Sequence, residues 1–246
     1  MIRVLADRSK DAASGAQFAN LLPYSEFACA DSRLPLEESL LANYSLLAIC
    51  GESLKPYASS ELEAIRQFVE RGGGLLLAAG VPSFEYEANQ PAQAMGQNSV
   101  AALFGAAFLS ADCEGAKADP SCQVGFSWQQ GSVHDHPALA EAGVGLVTGL
   151  SGPISPPQGA AILAAHKASG QPVAAAFEFG EGRVVVVGAS TFASDWGRPF
   201  TCRALARWLA AGRRTQPERE VSPPQYLGPR RSLKRGEYFQ LVYDQS

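Results

Sequence analysis

SSELEAIRQFVERGGGLLLAA, residues 59–79, is the stretch that decides the predicted fold. Ser59 or Ser60 can cap a helix here, and the acidic residues of the first turn suit the positive end of the helix dipole. Apolar side chains then recur at the spacing of one helix face, at Leu62, Ile65, Phe68 and Val69. The pattern predicts an amphipathic helix that ends at Arg71, where the glycines begin.

The three glycines at 72–74 lead directly into an apolar run at 75–79, which predicts a buried strand. A glycine-rich loop that binds phosphate follows a strand and opens a helix, whereas these glycines close a helix and enter a strand. A phosphate loop is therefore not predicted.

Apolar runs and helical patterns continue to alternate on both sides of this unit. The predicted strands are 2–6, 26–30, 45–50, 160–165, 173–179 and 183–187, and the further helices are 37–43, 99–108 and 200–211. The last two strands are joined by Gly180-Glu181-Gly182, which favours a tight hairpin. The alternation predicts an α/β fold with a mainly parallel central sheet, a late β-hairpin and a C-terminal extended tail.

Composition excludes several classes of protein. The net charge of −4 argues against general nucleic-acid binding, which needs a basic surface. The N-terminus lacks the apolar segment of a signal peptide, and no apolar run is long enough to span a bilayer, so we expect a cytoplasmic protein.

Five scattered cysteines favour reduced thiols, although Cys113 and Cys122 are close enough in sequence to form a bridge in an exported protein.

The chain changes character after residue 211, which we take as the end of the α/β domain. Residues 212–246 hold seven basic and four acidic side chains, so this tail carries +3 and the domain at 1–211 carries −7. An extended arm with an aromatic end can dock on a partner or on its own domain, and a disordered tail is the alternative. The candidate partner-binding residues are Arg230, Arg231, Tyr238, Phe239 and Tyr243.

Three segments together resemble the class I glutamine amidotransferase-like superfamily, most closely its non-catalytic branches such as the ThuA-like proteins. They are the unit from 44 to 79, His136-Pro137 followed by a glycine-rich stretch, and residues 172–188, which begin PVAA and end GEGRVVVVG. The resemblance covers residues 1–211 and implies a flavodoxin-like three-layer sandwich. Its motifs are structural, so they specify the fold much better than an activity.

The resemblance also implies where a catalytic cysteine would stand. Catalytic members carry it in a sharp turn after a central strand, and the matching turn here reads AAGVPS at 78–83, without cysteine. Pro82 removes a backbone donor from that turn, and no His-x-Glu pair follows downstream. Amidotransferase activity is therefore not predicted, and neither a catalytic residue nor a cofactor is assigned.

Ligands of open parallel sheets bind beyond the carboxyl ends of the strands, and several polar residues follow the predicted strands there. The candidate ligand-binding residues are Asp7, Arg8, Cys50, Glu52, Ser83, Ser190, Thr191 and Asp195. Such residues also cap helices and turn the chain, which is their commoner role. Cys50 could be a reactive thiol near a helix N-terminus, although a buried structural cysteine is the more common case.

His134 and His136 would share a face of an extended segment, but a catalytic zinc site needs a third protein ligand that the spacing does not supply. No metal site is therefore predicted. The leading hypothesis is a non-catalytic binding or assembly module that engages a protein partner, or a second copy, partly through its tail. The alternative is an enzyme or binding protein for a small polar, carbohydrate-like metabolite at the carboxyl edge.

Overall fold

A computed structural model describes the chain at residues 1–10, 18–80, 90–110, 126–127, 136–139, 152–166, 170–189 and 199–212. The predicted tail, apart from Gly212, lies outside these residues, so the domain boundary stays a prediction. No helix in the described part of the chain is long and apolar enough to cross a membrane.

Ten strands and four α-helices are defined in the described residues. The strands are β1 (Ile2–Asp7), β2 (Phe27–Ser32), β3 (Leu46–Cys50), β4 (Gly74–Ala78), β5 (Ala107–Phe108), β6 (Phe126–Ser127), β7 (Ile154–Ser155), β8 (Ala161–His166), β9 (Pro172–Phe179) and β10 (Gly182–Val187). The α-helices are α1 (Glu38–Leu41), α2 (Ser59–Glu70), α3 (Gly96–Ala102) and α4 (Pro199–Ala210). Short 3-10 turns occur at Ala92–Ala94 and Pro137–Leu139.

Eight of these strands form one sheet in the order β2-β1-β3-β4-β10-β9-β8-β6. The first five are mutually parallel, and the remaining neighbours pair antiparallel. Strand β10 therefore lies between β4, to which it is parallel, and β9, with which it forms the predicted hairpin. Strands β5 and β7 form a separate two-stranded pair.

Alternate residues of the central strands face two different apolar layers, which makes the domain a three-layer sandwich. In β4, Leu75 and Leu77 pack with α2 and α3, whereas Leu76 and Ala78 pack with α4. These strands are buried on both faces, as expected for a parallel sheet covered by helices. The predicted α/β class and the flavodoxin-like sandwich are confirmed.

The predicted helix at 99–108 is wrong in its extent. Helix α3 starts earlier, at Gly96, and ends at Ala102, because Gly105 adopts a φ of 70° that a helix interior does not allow. Phe108 instead pairs with Ile154 in the small sheet. The Asn98 side chain supports this path, since it accepts the Phe108 N–H at 2.8 Å and donates to the Phe108 carbonyl at 3.0 Å.

The predicted serine cap of α2 also differs from the structure. The N-cap residue is Ala58, and Ser59 and Ser60 lie within the first turn. The Ala58 N–H donates to Oε2 of Glu61 at 2.8 Å, so the buried carboxylate at the third helical position binds the N-cap N–H, while alanine has no side-chain oxygen to accept from the first turn. Glu61 belongs to a polar cluster near the end of β1.

Candidate functional site

Three predicted site residues do come together at the carboxyl edge of the sheet. Asp7 is the last residue of β1, Cys50 is the last residue of the neighbouring strand β3, and Glu52 follows two residues later. They are near enough for the charges of Glu52 and Asp7 to act on the Cys50 thiol. The convergence expected from parallel strands is therefore present for these three side chains.

Asp7 is buried, with 2% of its surface exposed, and both of its oxygens are engaged. Its Oδ2 accepts the Tyr57 hydroxyl at 2.7 Å, and its Oδ1 accepts the Ser9 N–H at 2.9 Å. Burial, and then the charge of Asp7, raise the pKa of Tyr57 well above its usual value, so the phenol stays protonated and donates. Asp7 thus anchors the loop before α2 to the end of β1.

A second carboxylate beside Asp7 is held by an amine and two backbone donors. The Lys10 amine lies 2.7 Å and 3.0 Å from the two oxygens of Glu61, and the N–H groups of Ala58 and Leu36 also donate to them. Burial pushes the pKa of Glu61 upward, but these donors outweigh it and lower the pKa below its usual value. Lys10 also lies over the Tyr57 ring, 4.9 Å from its centroid.

Sequence reasoning missed this cluster. It considered Glu61 only as a first-turn acidic residue favoured by the helix dipole, yet the residue is buried, with 4% of its surface exposed. The signal was available, because Glu61 lies four residues before Ile65 and seven before Phe68, which places it on the buried face of α2. A carboxylate on an apolar helix face requires a partner inside the protein, and Lys10 is that partner.

Cys50 is a core residue and not an exposed thiol. It is completely buried, and burial, followed by the nearby Cys202, Glu52 and Asp7, raises its pKa above that of a free cysteine. Burial likewise raises the pKa of Cys202 to about 12. Since the thiolate is the nucleophilic form, neither thiol is poised to react at neutral pH.

Glu52 organises the loops at this edge. Its Oε1 accepts the Gly80 N–H, which ties the segment after β3 to the turn after β4. Next to it, the Ser53 N–H donates to Oε1 of Gln97 at 3.2 Å. Gln97 is fully buried, and its Nε2 has no hydrogen-bond partner among the described residues, a feature that no sequence pattern had indicated.

Arg8 does not join the cluster. Its guanidinium forms a salt bridge of 3.0 Å with Asp31 of the edge strand β2, and both side chains are substantially exposed. The other candidates lie outside the described residues: Ser83, Ser190, Thr191, Asp195, Arg230, Arg231, Tyr238, Phe239 and Tyr243. Their roles stay predictions.

The described histidine of the proposed pair is His136, since His134 lies outside the described residues. It precedes the 3-10 turn Pro137–Leu139, and its Nδ1 accepts the Ala138 N–H at 3.2 Å. In the described part of the chain, no group of three or more histidine, cysteine, aspartate or glutamate side chains could hold a metal ion.

Comparison with known proteins gives structural likeness alone. No protein-family model and no curated protein sequence matches the chain. The mmIFT52 N-terminal domain is similar with a TM-score of 0.55 and 13% identity, over 79% of this chain and 89% of that one. A ThuA-like protein from Parabacteroides merdae is similar with a TM-score of 0.51 and 13% identity, over 89% of this chain and 93% of that one. At such identities the shared property is the fold.

Proposed function

We propose that this chain is a non-catalytic binding or assembly module on a glutamine amidotransferase-like scaffold. It binds a protein partner partly through its C-terminal tail, and the partner that we propose and test first is a second copy of the same chain. The observation that carries the proposal is that the polar groups at the carboxyl edge are bound to the domain itself. Asp7 and Glu52 accept internal donors, and Cys50 is sealed in the core.

Covalent or acid–base catalysis at this edge would need a group that can reach a substrate and change its protonation state. The Cys50 thiol fails on both counts, because it is buried and its pKa is raised. Asp7 is buried and has a donor on each oxygen. These contacts favour a structural role for the edge over a catalytic one.

The partner-binding half of the proposal rests on charge and aromatic content. The tail at 212–246 carries +3 and the domain at 1–211 carries −7, so the tail of one copy is attracted to the domain of another. The segment 238–243, YFQLVY, supplies aromatic side chains of the kind enriched at interface hot spots.

Molar mass measured by light scattering during size exclusion tests the assembly half. We expect the full chain to exceed its monomer mass of 25.9 kDa in a concentration-dependent way. Replacing Tyr238, Phe239 and Tyr243 with serine should return it to the monomer mass. A matched control replaces Gln240 and Gln245 with serine and should leave the assembly intact. A monomeric wild-type chain, or an unchanged mass in the aromatic variant, would contradict self-assembly through the tail.

Alkylation of the native protein tests the non-catalytic half. Iodoacetamide followed by peptide mapping should leave Cys50 and Cys202 unmodified until a denaturant is added, because both are buried thiols of raised pKa. Rapid modification of Cys50 in the native state at neutral pH would argue for a reactive site instead.

One observation favours the alternative, a small polar ligand at the carboxyl edge. The unpaired Nε2 of Gln97 is a buried donor next to the loop that follows β3, and sugar hydroxyls are suitable acceptors. Under this alternative, a neutral sugar such as glucose should raise the unfolding temperature of the wild type, and Gln97→Leu should abolish that increase. An unfolding temperature that does not respond to sugar would count against it.

A further inference from the structure

A cavity of about 540 Å³ lies at the other end of the sheet, away from the carboxyl edge. It is lined by the end of β9, the start of β10 and the last turn of α4. Arg183 in this wall is paired with Gly74, the first residue of the parallel strand β4, which places the cavity at the amino edge. The volume falls within the range of small-molecule sites in proteins.

One wall of the cavity is aromatic. Phe104, Phe177 and Phe179 line it, and the rings of Phe104 and Phe179 meet edge to face with centroids 5.0 Å apart. Phe104 and Phe177 are buried against the domain, so this wall is preformed. It suits a flat or flexible apolar body of modest size.

The part of the lining on the α4 face of the sheet presents two hydrogen-bond donors beside the Trp208 ring. The centroid of the His136 ring and the guanidinium carbon of Arg183 each lie 5.0 Å from that of Trp208. Burial, and then the charge of Arg183, lower the pKa of His136 below its usual value. Since the Ala138 N–H occupies its Nδ1, the neutral imidazole carries its proton on Nε2 and can donate it.

Arg183 is fixed in place without being neutralised. Its Nη1 donates to the Trp208 carbonyl at 2.8 Å, which orients the guanidinium. Its Nε lies 3.5 Å from Oε1 of Glu178, but that side chain is 72% exposed, so the pair is weak and easily replaced. Among the described residues, nothing accepts a hydrogen bond from its Nη2.

The cavity touches residues of both faces of the sheet, so it passes around the end of β9 beyond its last pair with β8, Ala161 and Ala176. We propose that it binds a small carboxylic acid with an apolar body. Arg183 and His136 bind the carboxylate on one face, and the body reaches around the end of β9 to pack against Phe104, Phe177 and Phe179. A guanidinium matches a carboxylate in charge and in planar geometry. A neutral apolar molecule would supply no negative charge to pair with Arg183, and a cation would be repelled by the guanidinium. This inference is independent of the assembly proposed above, which concerns the tail.

The test uses the full chain and a matched pair of probes, 4-phenylbutyrate and its neutral amide, 4-phenylbutyramide. Calorimetric titration should show the carboxylate binding about tenfold more tightly than the amide, because it gains a charge-assisted hydrogen bond. Equal affinities for the two probes, or no binding of either at millimolar concentration, would overturn the proposal.

Two substitutions that should change the carboxylate affinity in opposite directions test where the ligand binds. Arg183→Met should reduce the affinity for the carboxylate about tenfold and leave that for the amide nearly unchanged. Glu178→Gln should raise the affinity for the carboxylate severalfold, because it removes the competing charge beside Arg183. Arg66→Met removes an exposed arginine of α2 that does not line the cavity, and it is the matched control, with no expected effect on binding.

Binding by Arg183→Met is interpreted only after its unfolding temperature has been compared with that of the wild type. If that variant is unstable, the carboxylate affinity of Glu178→Gln tests the site instead. Glu178 is exposed, so its replacement leaves the core unchanged. Carboxylate affinity that does not rise in Glu178→Gln, or that falls equally in Arg66→Met, would place the binding elsewhere and refute the site.

Discussion

The charged side chains named at the two edges of the central sheet differ in their hydrogen-bond partners. At the carboxyl edge, Asp7, Glu52 and Glu61 accept donors from the domain itself. At the amino edge, Arg183 and His136 keep donors that no described residue accepts, beside a cavity. Buried polar groups need hydrogen-bond partners within the protein, whereas polar groups on a cavity wall can bind solvent or a ligand. The hydrogen-bond partners of an edge therefore indicate a site better than its residue types do.

The strongest test of this contrast is Glu61→Ala. It removes a buried carboxylate and leaves the Lys10 amine without its partner, so we expect a loss of about 4 kcal/mol in the free energy of unfolding. Urea denaturation measures it. Glu63→Ala, on the exposed face of the same helix, is the control and should change stability little. Similar losses in both variants would mean that the carboxyl-edge cluster is not a structural element.

At the amino edge, Gly182 leaves no room for a side chain beside the backbone of two other segments, and Gly182→Ala probes this packing. A Cβ at this position would lie 2.1 Å from the Val69 carbonyl oxygen and 2.4 Å from that of Gly73. Since backbone atoms must move to accommodate it, we expect a loss of about 3 kcal/mol in urea denaturation. The comparison variant Gly159→Ala meets no atom within 4 Å but has a φ of 83°, so it should lose only about 1 kcal/mol. A Gly182→Ala variant as stable as the wild type would show that this junction is loose.

Tyr57→Phe removes one donor from the carboxyl edge. Asp7 stays buried with an unsatisfied oxygen, which should cost about 2 kcal/mol in the free energy of unfolding, measured with urea. The exposed Tyr24→Phe serves as the control, and its loss of stability should be clearly smaller than that of Tyr57→Phe, because a hydroxyl in contact with solvent leaves no buried group unsatisfied. If Tyr57→Phe matched the wild type, Asp7 would be available to a ligand, and the case for a structural edge would weaken.

The smallest expected effect concerns His136 at the cavity. Because its pKa is lowered in the folded protein, the unfolded chain binds more protons once the pH falls below about 6.5. Stability should therefore fall by a few tenths of a kcal/mol more in the wild type than in His136→Asn between pH 7.5 and 5.5. Among the described residues, three carboxylates have a lowered pKa, Glu26, Glu61 and Glu63, and their contributions to stability are lost only at lower pH. An identical pH dependence in both proteins would mean that His136 is solvated like a free side chain.

Sequence reasoning predicted the scaffold well for a physical reason. Strands such as 46–50 and 74–78 are apolar throughout, and the face of α2 repeats with helical period, so local pattern and tertiary burial agree. It failed where one residue determines the backbone path, as at Gly105, whose left-handed φ ends the helix that was predicted to continue. It also placed Asp7 and Cys50 at the correct edge of the sheet.

What the sequence could not predict was the state of those edge residues. Whether Asp7 faces a ligand or Tyr57 depends on contacts between residues fifty positions apart. The amino-edge cavity was missed because Arg183 and His136 are 47 positions apart in the sequence and no motif links them. Both features arise from tertiary packing and not from local pattern.

The position of β10 has a consequence for how the chain is made. During synthesis, β1 to β4 can pair as soon as residue 78 has emerged, but the outer edge of β4 is covered only when residues 182–187 arrive. For the intervening hundred or so residues, an apolar strand presents unpaired N–H and C=O groups to other chains. Fragments that end before residue 182 should therefore aggregate through β4, and any expression of the domain in pieces must include β10.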